Sequence, residues 1–167
     1  MLAILILIFG IFSRIFFHIP NFTPVLALAL FGGVYLKKQQ AVILPILLLA
    51  VTDVMLGLHA TMLFTWPSIV MITLIGFWLR SKKNGVRVLA GSVLSSVIFF
   101  IVTNFGVWAV GGLYERTWAG LAECFILAVP FFHWTFLSTL LYAAVLFYGY
   151  EFCAERLRKT RFAMLVS

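Results

Sequence analysis

A succession of apolar runs separated by short breaks constrains this chain more than any other feature. A helix crosses the hydrocarbon core of a bilayer with about 20 apolar residues, in a range of roughly 17–25. Reading from break to break gives six runs. The first covers about Leu2 to Phe17 and stops at His18-Ile-Pro20-Asn21. The second, Thr23 to Leu36, is short, and the third extends from Ala41 to His59. The fourth runs from about Met62 to Leu79, and the fifth from Val86 to about Val110, where Gly111-Gly112 closes it. A mixed stretch, Leu113 to Ala128, precedes the sixth run, about Pro130 to Phe152, in which Pro130 suits a first helical turn.

These runs leave little room for anything else. The chain is 64% hydrophobic and 10% charged, where soluble domains carry roughly 45–50% and 25%. That balance excludes a water-soluble enzyme, a nucleic-acid-binding domain and a disordered tail. The first ten residues lack a basic lead and no A-x-A-like site follows them, so they read as a permanent membrane segment rather than a cleaved signal. The expected fold class is all-α: a polytopic membrane bundle of six transmembrane helices over residues 1–153, with a basic cytoplasmic tail over 154–167.

Charge placement supports six crossings. Lys37 and Lys38 lie between runs two and three, and Arg80, Lys82, Lys83 and Arg87 between runs four and five. Arg156, Arg158, Lys159 and Arg161 follow run six, which puts ten of the twelve basic residues on one side. By the positive-inside rule that side is cytoplasmic, along with both termini. Five or seven crossings would scatter these residues over both faces. The expected location is the bacterial cytoplasmic (inner) membrane, multi-pass. The net charge of +7 then serves topology and attraction to anionic membrane lipids, with no nucleic-acid partner.

The informative residues are polar ones in costly places. Asp53 stands about 18 Å into run three at ~1.5 Å per residue, past the middle of a core about 30 Å thick. An acid there reads as functional by default, or as a clamp between helices with a basic or hydroxyl partner. Arg14 and His18 end run one, Asn21 lies in the following turn, and His59 stands near the mouth of run three. Thr103, Asn104 and Trp108 occupy the outer third of run five, and Phe131 and His133 open run six. Packed together, runs one, three, five and six would gather these residues around one outward-facing cavity, with Arg14 as the natural counter-ion for Asp53. Metal-capable types are present without helix-borne ligand spacing, so no metal and no cofactor is expected. Ser95 and Ser96 have no base at their depth, and no G-x-S-x-G occurs, so they read as packing and the chain as no enzyme. Ala29 and Gly33 form a small-xxx-small pair that permits close helix approach. Cys124 and Cys153 suggest neither a finger nor a disulfide framework.

The segments His18 to Gly33, Thr52-Asp53 through Gly57 and His59, Thr103 to Trp108, and Pro130-Phe-Phe132 resemble an uncharacterised family of small bacterial integral membrane proteins associated with transport. The resemblance covers about Arg14 to Gly149. Relatives tend to carry a Gly-Asp pair where this chain has Ser138-Thr139, so a second intramembrane acid is missing here. More distantly, the short second run and the Asp-x-x-x-Gly pattern of run three look like the substrate-binding S components of energy-coupling-factor transporters. Run one offers Ala3 and Gly10 in place of their Ala-x-x-x-Ala docking pattern.

The expected function is capture of a small organic solute for transport. Asp53 and Arg14 supply charge, Asn21, Asn104, Thr103, His59, His18 and His133 hydrogen bonds, and Trp108 and Phe131 walls. With no nucleotide-binding loop, energy comes from an ion gradient or from a partner, which the S-component likeness identifies as a transmembrane coupling subunit with ATPases. Two alternatives stand beside it: an ion or metal carrier using His and Asp ligands, and a structural or assembly subunit in which Asp53 only clamps helices.

Overall fold

The computed structural model describes residues 2–16 and 21–158. They form six helices: α1 (Leu2–Phe16), α2 (Val25–Tyr35), α3 (Lys38–Leu56), α4 (Met62–Leu79), α5 (Gly85–Val110) and α6 (Trp118–Arg158). Among the described residues there is no strand. Four helices, α3 to α6, are long and apolar enough to cross a membrane, whereas α1 and α2 are shorter apolar helices of 15 and 11 residues.

The short α2 is the centre of the molecule. Every residue from Val25 to Val34 is buried, and α2 packs against all five other helices. Its sequence carries no polar face because it has no exposed face to supply. The Ala29/Gly33 expectation finds its partner on α4. A Cβ on Gly33 would lie 2.5 Å from the Thr73 carbonyl oxygen and 2.7 Å from the Gly76 Cα. The two backbones therefore touch, which side chains at these positions would prevent. At the end of α2, Arg80 Nη2 donates to the carbonyls of Gly33 (2.7 Å) and Leu36 (2.6 Å), and its Nε donates to Gly33 O at 3.1 Å. Arg80 thus satisfies helix-terminal acceptors that would otherwise be orphaned.

Polarity is distributed inside out. Leu47, Val54, Leu63, Leu74, Leu94, Ile101, Ile126 and Val145 are exposed, while Thr52, Ser68, Thr73, Ser92, Ser95, Ser96 and Thr139 are buried. The hydroxyls avoid an unmet hydrogen bond by donating to the preceding helical turn: Ser95 to Gly91 O at 2.7 Å, Ser96 to Ser92 O at 3.0 Å and Thr73 to Ile69 O at 3.0 Å. Ser95 and Ser96 are accordingly packing residues. In the four long helices at most 33% of the most apolar stretch is buried within the protein, so most of that surface needs an apolar solvent.

Two expectations about boundaries are corrected. Helix α6 begins at Trp118, so most of the mixed stretch 113–128 is helical and Pro130 lies inside the helix. A proline removes one N–H and strains one turn, yet the apolar register continues through it. At about 1.5 Å per residue α6 is roughly 60 Å long, about twice the thickness of a hydrocarbon core. Its last turns carry the first part of the expected tail as helix up to Arg158. Helix α3 stops at Leu56, where Gly57 takes φ 116°, so Asp53 sits in the last helical turn rather than mid-span.

The basic residues of the two inter-helix loops share one end of the bundle. Lys83 Nζ lies 3.8 Å from Glu151 and 4.5 Å from the centre of the Tyr35 ring, and Tyr35 donates its hydroxyl to Glu151. Arg87 covers Trp78 at 5.5 Å.

Candidate functional site

The other end of the bundle holds the chemistry. Helices α1 and α3 run parallel, and their last turns meet where Arg14 Nη2 donates to Asp53 Oδ1 at 2.5 Å. The second carboxylate oxygen accepts from Trp66 Nε1 on α4 at 2.9 Å. Asp53 is 1% exposed and Arg14 is half-buried at 18% by side chain. A lone buried carboxylate in this position would be prohibitive. Here one oxygen is held by a guanidinium and the other by an indole, so both charged partners are fixed in orientation. Among the described residues, Arg14 Nη1 is buried without a hydrogen-bond partner.

Arg14 is also a wall of a partly open cavity of about 370 Å³. The cavity exists because α2 is short: α2 meets α4 around Gly33 and Gly76 and α6 around Phe147 and Tyr150, while its flanking helices continue past its N-terminus. Two helix faces with i, i+3, i+4, i+7 spacing line the space, Phe100, Thr103, Asn104 and Val107 on α5 and Ala128, Phe131, Phe132 and Thr135 on α6. Phe99 and Thr65 add to the walls, and Asn21 and His59 enter from the two connecting segments. Asn21 takes the left-handed backbone conformation, φ 61°, which asparagine tolerates better than most side chains. Its carbonyl accepts from Ser138 Oγ at 3.4 Å.

Six of the ten residues expected at the site therefore line one cavity: Arg14, Asn21, His59, Thr103, Asn104 and Phe131. Asp53 is not a wall residue. It stands behind Arg14, and the expectation that α3 forms part of the pocket is corrected, since α4 takes that place. Trp108 turns aside, donating Nε1 to Glu115 O at 2.9 Å and packing its ring on Phe105. His133 is exposed against Trp134, on the face of α6 away from Phe132. His18 lies outside the described residues. Sequence reasoning missed Thr65, Phe99, Phe100, Phe132 and Thr135 as walls and Trp66 as the second ligand of Asp53. The two i, i+3, i+4, i+7 faces were the available signal, and starting run six at Pro130 hid one of them.

The remaining polar atoms are partly committed. Thr103 Oγ1 donates to Phe99 O at 2.7 Å, Asn104 Nδ2 to Phe100 O at 2.8 Å and Thr65 Oγ1 to Thr61 O at 3.1 Å. His59 Nδ1 pairs with Thr61 Oγ1 at 2.6 Å. Among the described residues no three His, Cys, Asp or Glu side chains converge as a metal site, and both cysteines are free thiols. The sulfur of the buried Cys124 lies 3.4 Å from Asn104 O. Ser138 and Thr139 both donate to Thr135 O, at 3.0 and 2.7 Å.

An apolar exterior, hydroxyls turned inward and one buried ion pair beside a cavity with a few polar groups define an all-helical protein of the membrane type. The chain belongs to a family of unknown function, DUF6580, whose model matches residues 1–161. No curated protein and no solved structure matches it, so the likeness to S components gains nothing from these comparisons.

Proposed function

We propose that this protein is a multi-pass protein of the bacterial cytoplasmic membrane that captures a small organic solute for transport. In this reading all six helices are embedded, both termini face the cytoplasm with the basic end, and the cavity faces outward. The observation that carries it is the cavity itself, with apolar walls and a few placed polar groups, one of them a charged side chain locked in orientation from behind. The protein acts as a binding and translocating component rather than an enzyme. A gradient or a separate coupling subunit with ATPases supplies the energy.

Native mass spectrometry of the detergent-purified chain tests this. The expected result is a bound small molecule that is lost in Ala128→Trp, which fills the cavity from α6, while helicity and melting behaviour are kept. A wild-type protein that carries and accepts no solute, or a filled variant that keeps it, refutes the proposal.

A second reading draws on a specific observation. Asp53 makes its contacts to Arg14 and Trp66 and none to the cavity, as a clamp joining α1, α3 and α4 would. In that reading the protein is an assembly subunit, and cavity variants are silent where Asp53 variants are not.

A further inference from the structure

The polar groups around the cavity include one cation and several side-chain oxygens. On the α1 side the unmet requirement is for an acceptor. Arg14 spends Nη2 on Asp53, while Nη1 is left buried with no partner among the described residues. Asp53 has no matching deficit, since each of its oxygens already accepts a bond. On the α4–α5 side three side-chain oxygens remain able to accept. Thr65 and Thr103 give their hydroxyl protons to backbone carbonyls, and Asn104 gives an amide proton. Their oxygens keep free lone pairs. The rings of Phe99, Phe100, Phe131 and Phe132 supply the apolar part of the lining.

We infer that the solute is a small monocarboxylate with an apolar, ring-sized body and a hydrogen-bond donor at the end away from the carboxylate. The inference rests on the cavity being a solute site. An oxyanion is the acceptor that a guanidinium holds best where water is scarce. Among the described residues no Asp or Glu lines the cavity to repel it. The positive end of the α2 dipole, with no side-chain cap at Pro24, lies at the same end of the bundle. A dianionic phosphate fits worse, because no lysine and no second arginine joins Arg14 among the described wall residues. The volume sets the size. At ~30 Å³ per water-sized unit, 370 Å³ holds about a dozen non-hydrogen atoms.

The test uses the full chain in lipid nanodiscs and isothermal titration with matched acid, primary amide and amine on one ring, each with and without a para-hydroxyl. The acid should bind about tenfold or more tighter than its amide, the ratio for one charge-assisted hydrogen bond. The para-hydroxyl should add to the affinity in wild type and not in Asn104→Leu/Thr103→Val. Arg14→Gln alone strands Asp53, so the decisive variant is Arg14→Gln/Asp53→Asn, which should lower acid affinity to that of the amide and leave the amide unchanged. Amides or amines binding as tightly as acids, or an acid preference that survives the double change, overturns the carboxylate and leaves the solute site standing. A co-purified solute decides in the same way: an acid supports the inference, and a neutral or cationic molecule overturns it. If none of the compounds binds and nothing co-purifies, both readings fall.

Discussion

Breaking the Arg14–Asp53 pair from one side should be far more damaging than removing it whole. Asp53 is 1% exposed and accepts from Arg14 at 2.5 Å and from Trp66 at 2.9 Å. Asp53→Leu leaves a half-buried guanidinium with no counter-charge and an indole N–H with no acceptor. Breaking one partner of a buried pair costs about 3–5 kcal/mol. Asp53→Asn keeps an acceptor for Trp66 and loses the charge, so it belongs at or just below the lower edge of that range. Arg14→Met strands the carboxylate and belongs at the upper edge. The combined Arg14→Met/Asp53→Leu removes both charges and fills the space with apolar atoms, which is often neutral or stabilising. For a chain of this size each kcal/mol moves the midpoint by about 2–4 °C, so the single changes should lower it by roughly 6–20 °C and the double change should return most of that. The assay is thermal unfolding of wild type and the four variants in one detergent by intrinsic tryptophan fluorescence, with Trp66 as a local reporter. Single variants that each melt within about a degree of wild type, or a double variant that melts at the sum of the singles, would show that the two residues are not coupled and that the pair does not hold the wall of the cavity.

Three further outcomes follow from the same geometry. Gly33→Ala places a methyl 2.5 Å from the Thr73 carbonyl and 2.7 Å from the Gly76 Cα, so α2 and α4 must separate, at about 1–3 kcal/mol by the measure of overpacked cores; a thermal midpoint equal to wild type contradicts that crossing. Arg80→Gln forfeits charge-assisted bonds to Gly33 O and Leu36 O, each worth about 1.5–3 kcal/mol; hydrogen exchange should rise first at the C-terminal turn of α2, and uniform exchange would deny Arg80 its capping role. In a chain with Cys124 and Cys153 replaced by alanine, Ser81→Cys at the basic end and Thr117→Cys at the other should react with an impermeant maleimide from opposite sides of intact cells; labelling from one side breaks the proposed topology.

The sequence displayed its helix count and the sidedness of its charges because both are written in composition along the chain. Lys37, Lys38 and Arg80 interrupt apolar runs, and an interruption is visible wherever it falls. What composition does not show is which runs face one another. Helix α2 reads as a weak crossing segment because it is short, yet it is short and uniformly apolar because it is enclosed on all sides. Asp53 was conspicuous, and its pairing with Arg14 followed from charge alone. Trp66 was not, because an indole serves equally well as an interfacial anchor and as a donor. Trp108 and His133 were expected at the cavity by their depth. Depth along a helix fixes height, whereas the 100° step between residues fixes the face, and these two point elsewhere. Thr103, Asn104 and Phe131 share both height and face with the cavity.

Stability does not account for the ion pair. Apolar side chains of similar volume at positions 14 and 53 would join α1 to α3 as well or better, and without the desolvation cost of two charges. An ion pair kept in such a place has to do something that leucine or methionine cannot. The proposed solute site would give it such a task. Asp53 and Trp66 stand away from the cavity and fix the orientation of Arg14, and Arg14 lines the cavity with one guanidinium nitrogen still lacking an acceptor. Arg80, at the other end of the bundle, also bonds only through Nε and Nη2, to two carbonyls, but its remaining nitrogen is not a buried unpartnered donor as Arg14 Nη1 is. Of the two arginines built into helix ends, the one beside the cavity is the one that keeps a buried nitrogen without a partner among the described residues, and in the proposed site a bound acceptor would complete it.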